Sequence, residues 1–140
     1  MTERIATINK SYRDKRAYIR VRGVILNPIN SRQFPLSFEC RIDTGFDGGL
    51  LIPKWHLSDA KSIDVEPSIT SITLADGSKV PVYVCVAHIQ EIDTYNLPLP
   101  GKPVMIVMCG NMKSQLLGMD VLKYGTILFD GPGQAFTMTV

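Results

Sequence analysis

Residues 40–53 read CRIDTGFDGGLLIP and place one carboxylate, Asp43, between two apolar segments. Residues 36–42 alternate apolar and polar side chains without exception, which predicts a half-buried β-strand that ends directly before Asp43. Residues 50–52 are apolar throughout and predict a short buried strand. The stretch therefore predicts two strands joined by a turn, with Asp43 at the beginning of the turn.

The rest of the chain is dominated by the same period-2 pattern. Asp76 and Gly77 form a strong hairpin signal between two β-rich segments, and residues 93–103, with three prolines, predict a loop. Short helices are predicted at 53–60 and 119–124, and further strands at 19–25, 68–75, 79–92, 104–109, 126–130 and 134–140. About eight or nine short strands indicate an all-β (mainly β) protein, as either a closed or a sandwiched barrel.

Length and composition fit one folded domain. The chain has 140 residues, of which 45% are hydrophobic and 20% are charged, and both values are typical of globular proteins. It has no run of roughly 18 apolar residues, which a membrane span requires. Residues 1–16 lack the apolar core of a secretory signal. We therefore expect a cytoplasmic protein without a membrane partner, in which cysteines stay reduced.

The three cysteines do not indicate a metal site or a disulfide framework. Cys40, Cys85 and Cys109 are odd in number, widely spaced and without a C-x-x-C pair. Cys85 and His88 are three positions apart, so in a strand their side chains point to opposite faces. We expect apolar strand cysteines, no metal and no cofactor.

Basic residues are concentrated at the start of the chain. Residues 1–22 hold seven basic and two acidic side chains, a net charge of +5, whereas the remainder carries −3. Such a segment can bind phosphate backbones. Its aromatic residues are only Tyr12 and Tyr18, which favours a solvated terminal arm over nucleic-acid binding. We predict a basic arm at 1–16 and a folded domain at 17–140.

A lone carboxylate such as Asp43 is insufficient to hydrolyse an amide with water. One group must take a proton from the water while another protonates the carbonyl oxygen. Two carboxylates about 3 Å apart share one proton and fill both roles, because the two cannot ionise together. The triplet Asp-Thr-Gly occurs once in the chain, so the second carboxylate must be Asp43 of another copy, across a two-fold axis.

The order of three elements resembles the retropepsin-like aspartic proteases of the pepsin superfamily, especially their microbial single-domain members. These elements are the apolar strand that ends in IDTG (42–45), the β-hairpin at Thr73–Tyr83, and LLG (116–118) before a short helix. The resemblance covers roughly residues 17–140. It implies a closed acid-protease-type β-barrel with one or two short helices, active as a two-fold homodimer on peptide or protein substrates.

The resemblance also implies roles for the loop after the first strand. Asp43 is the catalytic carboxylate, one from each subunit, and Thr44 bonds across the dimer axis. Gly45 brings its backbone N–H close to the carboxylate. Asp47 and Gly48 either meet the substrate backbone or form a simple turn, and the sequence leaves both open.

Two further segments receive roles from the resemblance. Ala75, Asp76 and Gly77 lie at the tip of a flap that closes over the peptide, although these residues form a hairpin turn with or without that role. Leu117 and Gly118 pack beneath the catalytic loop, as ordinary core residues would also do.

Two departures from the viral pattern of this family favour an alternative function. Met119 stands where an arginine commonly follows the glycine, and Gly77 is the flap's one glycine. The alternative is a dimeric barrel of the same fold that binds a partner with weak or no catalysis, or associates with nucleic acid through its basic arm. Asp120 could cap the short helix rather than bind anything.

Overall fold

The computed structural model describes residues 7–73, 75–97, 102–110, 115–123 and 125–139. Within these ranges the chain forms eleven strands, a 3₁₀ turn and two short α-helices. The strands are β1 (Thr7–Ser11), β2 (Tyr18–Leu26), β3 (Gln33–Ile42), β4 (Leu50–Pro53), β5 (Ser68–Thr73), β6 (Lys79–Ile92), β7 (Tyr95–Asn96), β8 (Lys102–Cys109), β9 (Gln115–Leu117), β10 (Thr126–Asp130) and β11 (Ala135–Thr139). The 3₁₀ turn is Lys54–His56, and the helices are α1 (Leu57–Ser62) and α2 (Met119–Leu122).

Six of these strands close into a barrel. Their order is β2-β3-β9-β4-β8-β6, and a further pairing of β2 with β6 closes the circle. The strand β5 pairs with β6 outside this circle and forms the predicted hairpin. The prediction of a mainly β protein with a closed barrel and few short helices is confirmed.

Strand β9 lies between β3 and β4, and this arrangement builds the candidate site. It runs parallel to β3, with Ile42 opposite Leu117, and antiparallel to β4, with Leu50 opposite Leu117. Residues 43–49, which connect β3 to β4, must therefore pass over the end of β9. The loop that carries Asp43 is consequently adjacent to Gly118, although the two are far apart in sequence.

Two apolar clusters lie on opposite faces of the barrel wall. On β4, Leu50 and Ile52 belong to the main core, whereas Leu51 belongs to a second cluster, as the alternation of side chains along a strand requires. The buried residues of the second cluster, which we call the outer cluster, are Leu51, Val82, Val107 and Leu116. Residues of the hairpin strands β5 and β6 pack against it, so the hairpin is joined to the barrel wall by apolar contacts.

Strand β1 lies inside the predicted basic arm and belongs to a second sheet. This sheet has three strands in the order β1-β11-β10, and β1 pairs with β11 along its whole length. Lys10 of β1 forms an ion pair with Asp93 at 2.9 Å, and Arg13 forms one with Glu39. The proposed boundary at residue 17 remains a prediction.

The predicted loop at 93–103 is wrong in part. Asp93, with a φ of 56°, turns the chain back so that β7 pairs with Glu91 and Ile92 at the end of β6. Strand β8 then begins at Lys102. Proline content did not reveal the two-residue strand β7 or the start of β8 at Lys102, and residues 98–101 lie outside the described residues. The predicted strand count was also too low, because β1, β7 and β9 were not recognised.

Parts of the predicted arm and of some predicted elements lie outside the described residues, namely 1–6, 74, 98–101, 124 and 140. Among the described residues, no helix combines the length and apolar character needed to cross a membrane.

Candidate active site

Asp43 is the first residue after β3, and its backbone is fixed on both sides. Its N–H donates to the carbonyl oxygen of Leu117 at 2.9 Å, and its carbonyl oxygen accepts from the N–H of Phe46 at 3.2 Å. The side chain is half-buried, and its Oδ1 accepts a hydrogen bond from the N–H of Gly45 at 2.9 Å. The carboxylate is therefore held in one orientation at the end of the half-buried strand β3, while part of it stays accessible to solvent.

The rest of the loop is bonded to the start of α2. The N–H of Gly118 donates to the carbonyl oxygen of Gly49 at 2.9 Å, and the N–H of Met119 donates to that of Phe46 at 2.7 Å. The N–H of Asp120 donates to the carbonyl oxygen of Gly48 at 3.1 Å. These donors lie in the first turn of α2, where backbone N–H groups have no partner within the helix. The helix start thus fixes the loop.

The contact between the loop and the start of α2 leaves no room for a side chain at Gly118. A Cβ atom built there would overlap the carbonyl oxygen of Gly48 and lie 2.5 Å from that of Phe46. A Cβ at Gly49 would lie 2.8 Å from the carbonyl oxygen of Met105. Glycine is required at both positions because two backbones approach each other there. The loop and the helix start can bond directly only for this reason.

The other predicted loop residues differ in exposure. Thr44, Gly45 and Asp47 are exposed, Gly48 is buried, and Leu117 is fully buried in the core between β3 and β4. A Cβ at Gly45 would lie 3.3 Å from Oδ1 of Asp43, which is close but can be accommodated. The half-buried Asp43 and the exposed Thr44 and Gly45 therefore lie above buried residues of the loop and of β9.

The predicted flap tip, Ala75, Asp76 and Gly77, is an exposed turn between β5 and β6. Gly77 has a φ of +85°, a conformation that favours glycine. Oδ1 of Asp76 accepts hydrogen bonds from Oγ of Ser78 at 2.5 Å and from its N–H at 2.8 Å. These bonds lower the pKa of Asp76, because they favour the charged carboxylate. Asp76 therefore shapes the turn.

Asp120 does not cap α2, the role that the sequence left open for it. The N-cap is Gly118, and Oδ2 of Asp120 instead accepts the N–H of Met105 on β8 at 2.8 Å. Its Oδ1 pairs with Nζ of Lys123 at 2.9 Å. Burial raises the pKa of Asp120, but these two partners outweigh it and leave the pKa lowered. Sequence pattern could not reveal this contact, because Met105 lies on β8 and Asp120 lies in α2.

We expect Asp120→Asn to destabilise the fold by about 1 kcal/mol at neutral pH, since an amide cannot accept from both partners at once. A carboxyl whose pKa is lowered by folding contributes stability above its unfolded pKa and loses it as pH falls through the folded pKa. The difference in free energy of unfolding between wild type and variant should thus be constant from pH 7 to 5 and shrink below about pH 4. Urea titrations at several pH values measure it, with Glu66→Gln as an exposed control. A constant difference down to pH 2.5 would contradict this account.

Two of the thiols are at least partly buried and unreactive at neutral pH. Burial raises the pKa of the Cys40 thiol to about 12 and that of Cys85 to about 11, so both stay protonated at neutral pH. His56 Nδ1 lies 2.8 Å from Oδ2 of Asp59, at the start of α1. Within the described ranges, no group of three or more His, Cys, Asp or Glu side chains could hold a metal ion.

Comparisons with known proteins address the fold. No protein-family model matches the sequence, and a search of curated proteins finds no match. A retropepsin-like aspartic protease from Rickettsia conorii is similar in structure, with a TM-score of 0.57 and 13% sequence identity. The similarity covers 99% of this chain and 96% of the Rickettsia chain. The chain therefore has a retropepsin-like fold, and its loop after β3 carries Asp43-Thr44-Gly45.

Proposed function

We propose that the protein is an aspartic endopeptidase that works as a homodimer, with one active site formed by two copies of Asp43. The observation that supports this most is the placement of Asp43: its backbone is bonded to Leu117, and its carboxylate is oriented by Gly45 yet open to solvent. A simple surface turn would not require a loop that is hydrogen-bonded to two strands and a helix. A carboxylate with a chemical role does require such fixed orientation.

In the proposed reaction, one Asp43 takes a proton from a water molecule while its mate, protonated, donates to the substrate carbonyl oxygen. The water oxygen attacks the peptide carbonyl carbon and forms a tetrahedral gem-diol. The first Asp43 then gives the proton it took from water to the amide nitrogen, the C–N bond breaks, and the mate takes a proton back from a gem-diol hydroxyl as the carboxylic acid product forms. Thr44 would bond to its mate and hold the two carboxylates together. The peptide would lie extended beneath the two hairpins, in contact with Asp47 and the tip at 75–77.

Asp47 and Gly48 could alternatively serve as a simple turn, which would leave the carboxylate pair unaffected. Leu117 and Gly118 would act beneath the loop, without touching substrate. No metal or organic cofactor enters the proposed mechanism. We also place the protein in the cytoplasm, because an odd number of widely spaced cysteines suits a reducing compartment.

The three-stranded sheet offers a surface for the second copy. Strand β10 is the last strand in the order β1-β11-β10, so one of its edges has no strand partner among the described residues. It also exposes Leu128 and Phe129, which are 71% and 45% accessible. An open edge with exposed apolar side chains is typical of a surface that pairs with another chain. These features support a dimer that forms through β10.

Leu128→Asp is expected to weaken the dimer by at least about tenfold in Kd, because it places a charge in a buried apolar contact. Sedimentation velocity over a concentration series measures this shift, and specific activity should fall on dilution in parallel. Ile29→Asp is the control, since Ile29 is 94% exposed and lies in the turn between β2 and β3. A wild-type protein that sediments as a monomer at micromolar concentration would contradict the proposal.

The function itself is tested by incubating the wild type with a mixed peptide library from pH 3 to 7. We expect cleavage that a statine-type inhibitor, which carries a hydroxyl in place of the attacking water, abolishes. The alternative of a catalytically weak binding dimer draws its support from Met119, which supplies no cation beside Asp47. A dimer that cleaves no peptide under any of these conditions would favour that alternative.

A further inference from the structure

Phe46 is the first residue after the Asp-Thr-Gly triplet, and both of its backbone polar groups bind neighbouring segments. Its N–H closes the turn on the carbonyl oxygen of Asp43 at 3.2 Å, and its carbonyl oxygen accepts the N–H of Met119 at 2.7 Å. The position of its side chain is thus determined relative to Asp43. Any contact made by the ring also acts on the catalytic loop.

The ring of Phe46 lies against two backbones that lack side chains. A Cβ at Gly48 would lie 2.5 Å from Cζ of the ring, and one at Gly118 would lie 2.5 Å from Cδ2. Glycine at both positions leaves the space that the ring occupies. The ring is therefore confined by its own loop on one side.

The side chain of Phe46 also packs against the outer cluster. The side chains of Ile72, Val80 and Val84, which belong to the hairpin strands β5 and β6, pack against the same four buried residues. Val82 of β6 is one of those four and is fully buried. One contiguous apolar cluster thus joins the loop of Asp43 to the hairpin strands β5 and β6, and Phe46 is the residue of the loop that belongs to it.

We propose that Phe46 is a positioning residue that couples the loop of Asp43 to the hairpin and so sets how the hairpin closes over a bound peptide. The closure part of the proposal rests on the proposed endopeptidase function, whereas the coupling can be measured without catalysis. Loss of the ring would leave the backbone bonds of the loop in place. It would remove apolar contacts from the cluster that holds the hairpin strands and let the hairpin open more often.

Amide hydrogen exchange tests the coupling directly. We expect Phe46→Ala to raise exchange at residues 69–73 and 79–84 by about tenfold, with β2 and β3 unchanged. Phe46→Leu should restore most of the protection. The control is Phe34→Ala, because Phe34 is also partly buried but packs against the main core. It should raise exchange in β2 and β3 and leave the hairpin unchanged. If Phe46→Ala does not fold, Phe46→Val serves in its place with a rise of about threefold.

A uniform rise across the barrel, or no rise in the hairpin, would overturn the coupling. For closure, we expect KM for an extended peptide to rise about tenfold in Phe46→Ala, with kcat changed less than about twofold. An equal loss in kcat with unchanged KM would overturn the closure role. Absence of hydrolysis by the wild type would instead refute the proposed function, and the exchange data alone would then decide the coupling.

Discussion

Asp43→Asn is expected to abolish peptide hydrolysis, with kcat reduced by at least about a thousandfold, while the fold and the dimer persist. An asparagine has nearly the shape of the aspartate, and its Oδ1 can still accept the N–H of Gly45 that orients Oδ1 of Asp43. It cannot take a proton from water or share one with a second carboxylate. The loss is therefore specific to the chemical step, which library cleavage and thermal unfolding together measure.

Asp47→Asn is the comparator within the same loop. Asp47 is exposed and is proposed to contact substrate or to shape the turn, so we expect kcat/KM to fall by about tenfold at most. Comparable cleavage by Asp43→Asn and wild type would refute the role of Asp43. Equal and complete losses in both variants would show that the loop, rather than one carboxylate, was disturbed.

Gly118→Ala is expected to have the second-largest effect, on stability and on activity together. The new methyl group would overlap the carbonyl oxygen of Gly48 and approach that of Phe46 to 2.5 Å, so the helix start and the loop must separate. We expect a loss of about 2–3 kcal/mol in the free energy of unfolding, with a fall in melting temperature of roughly 6–10 °C. Because Asp43 is fixed by the same contact, kcat should fall at least about tenfold even in the folded fraction.

Alanine substitutions at two other glycines serve as controls that separate the effect on stability from the effect on kcat. At Gly131 a Cβ atom would meet no heavy atom within 4 Å, so Gly131→Ala should change neither the free energy of unfolding nor kcat. At Gly23 a Cβ atom would overlap the carbonyl oxygen of His88, where β2 approaches β6 at a bulge. Gly23→Ala should therefore destabilise the fold to a similar degree but leave kcat of the folded protein unchanged. A normal melting temperature for Gly118→Ala would contradict the geometry of the loop.

Local patterns predicted those parts of the molecule that local interactions determine. The alternation at 36–42, the apolar run at 50–52 and the Asp76-Gly77 turn predicted β3, β4 and the β5–β6 hairpin, and all are present. Strand β9 was not predicted, because Gln115–Leu117 is too short to show a period and forms only between two other strands. Strand β7, with two residues, is likewise too short to show a period.

The features of the site that the sequence did not predict depend on contacts between segments that are far apart in the chain. The bond from the N–H of Met105 to Asp120 joins a strand to a helix, and no spacing rule relates these residues. Phe46 offered a weak signal, since an aromatic residue followed by glycines invites the ring to fold over the backbone. Its partners in the outer cluster come from four strands, so only the fold brings them together.

The central claim is that each active site needs Asp43 from two copies of the chain. Wild-type and Asp43→Asn subunits can be mixed in varied proportions, allowed to exchange, and assayed at constant total protein. With random pairing of equal amounts, about a quarter of the dimers carry two carboxylates, so we expect about a quarter of the wild-type activity. A linear decline, with about half of the activity at equal amounts, would mean that each chain works alone and would contradict the account.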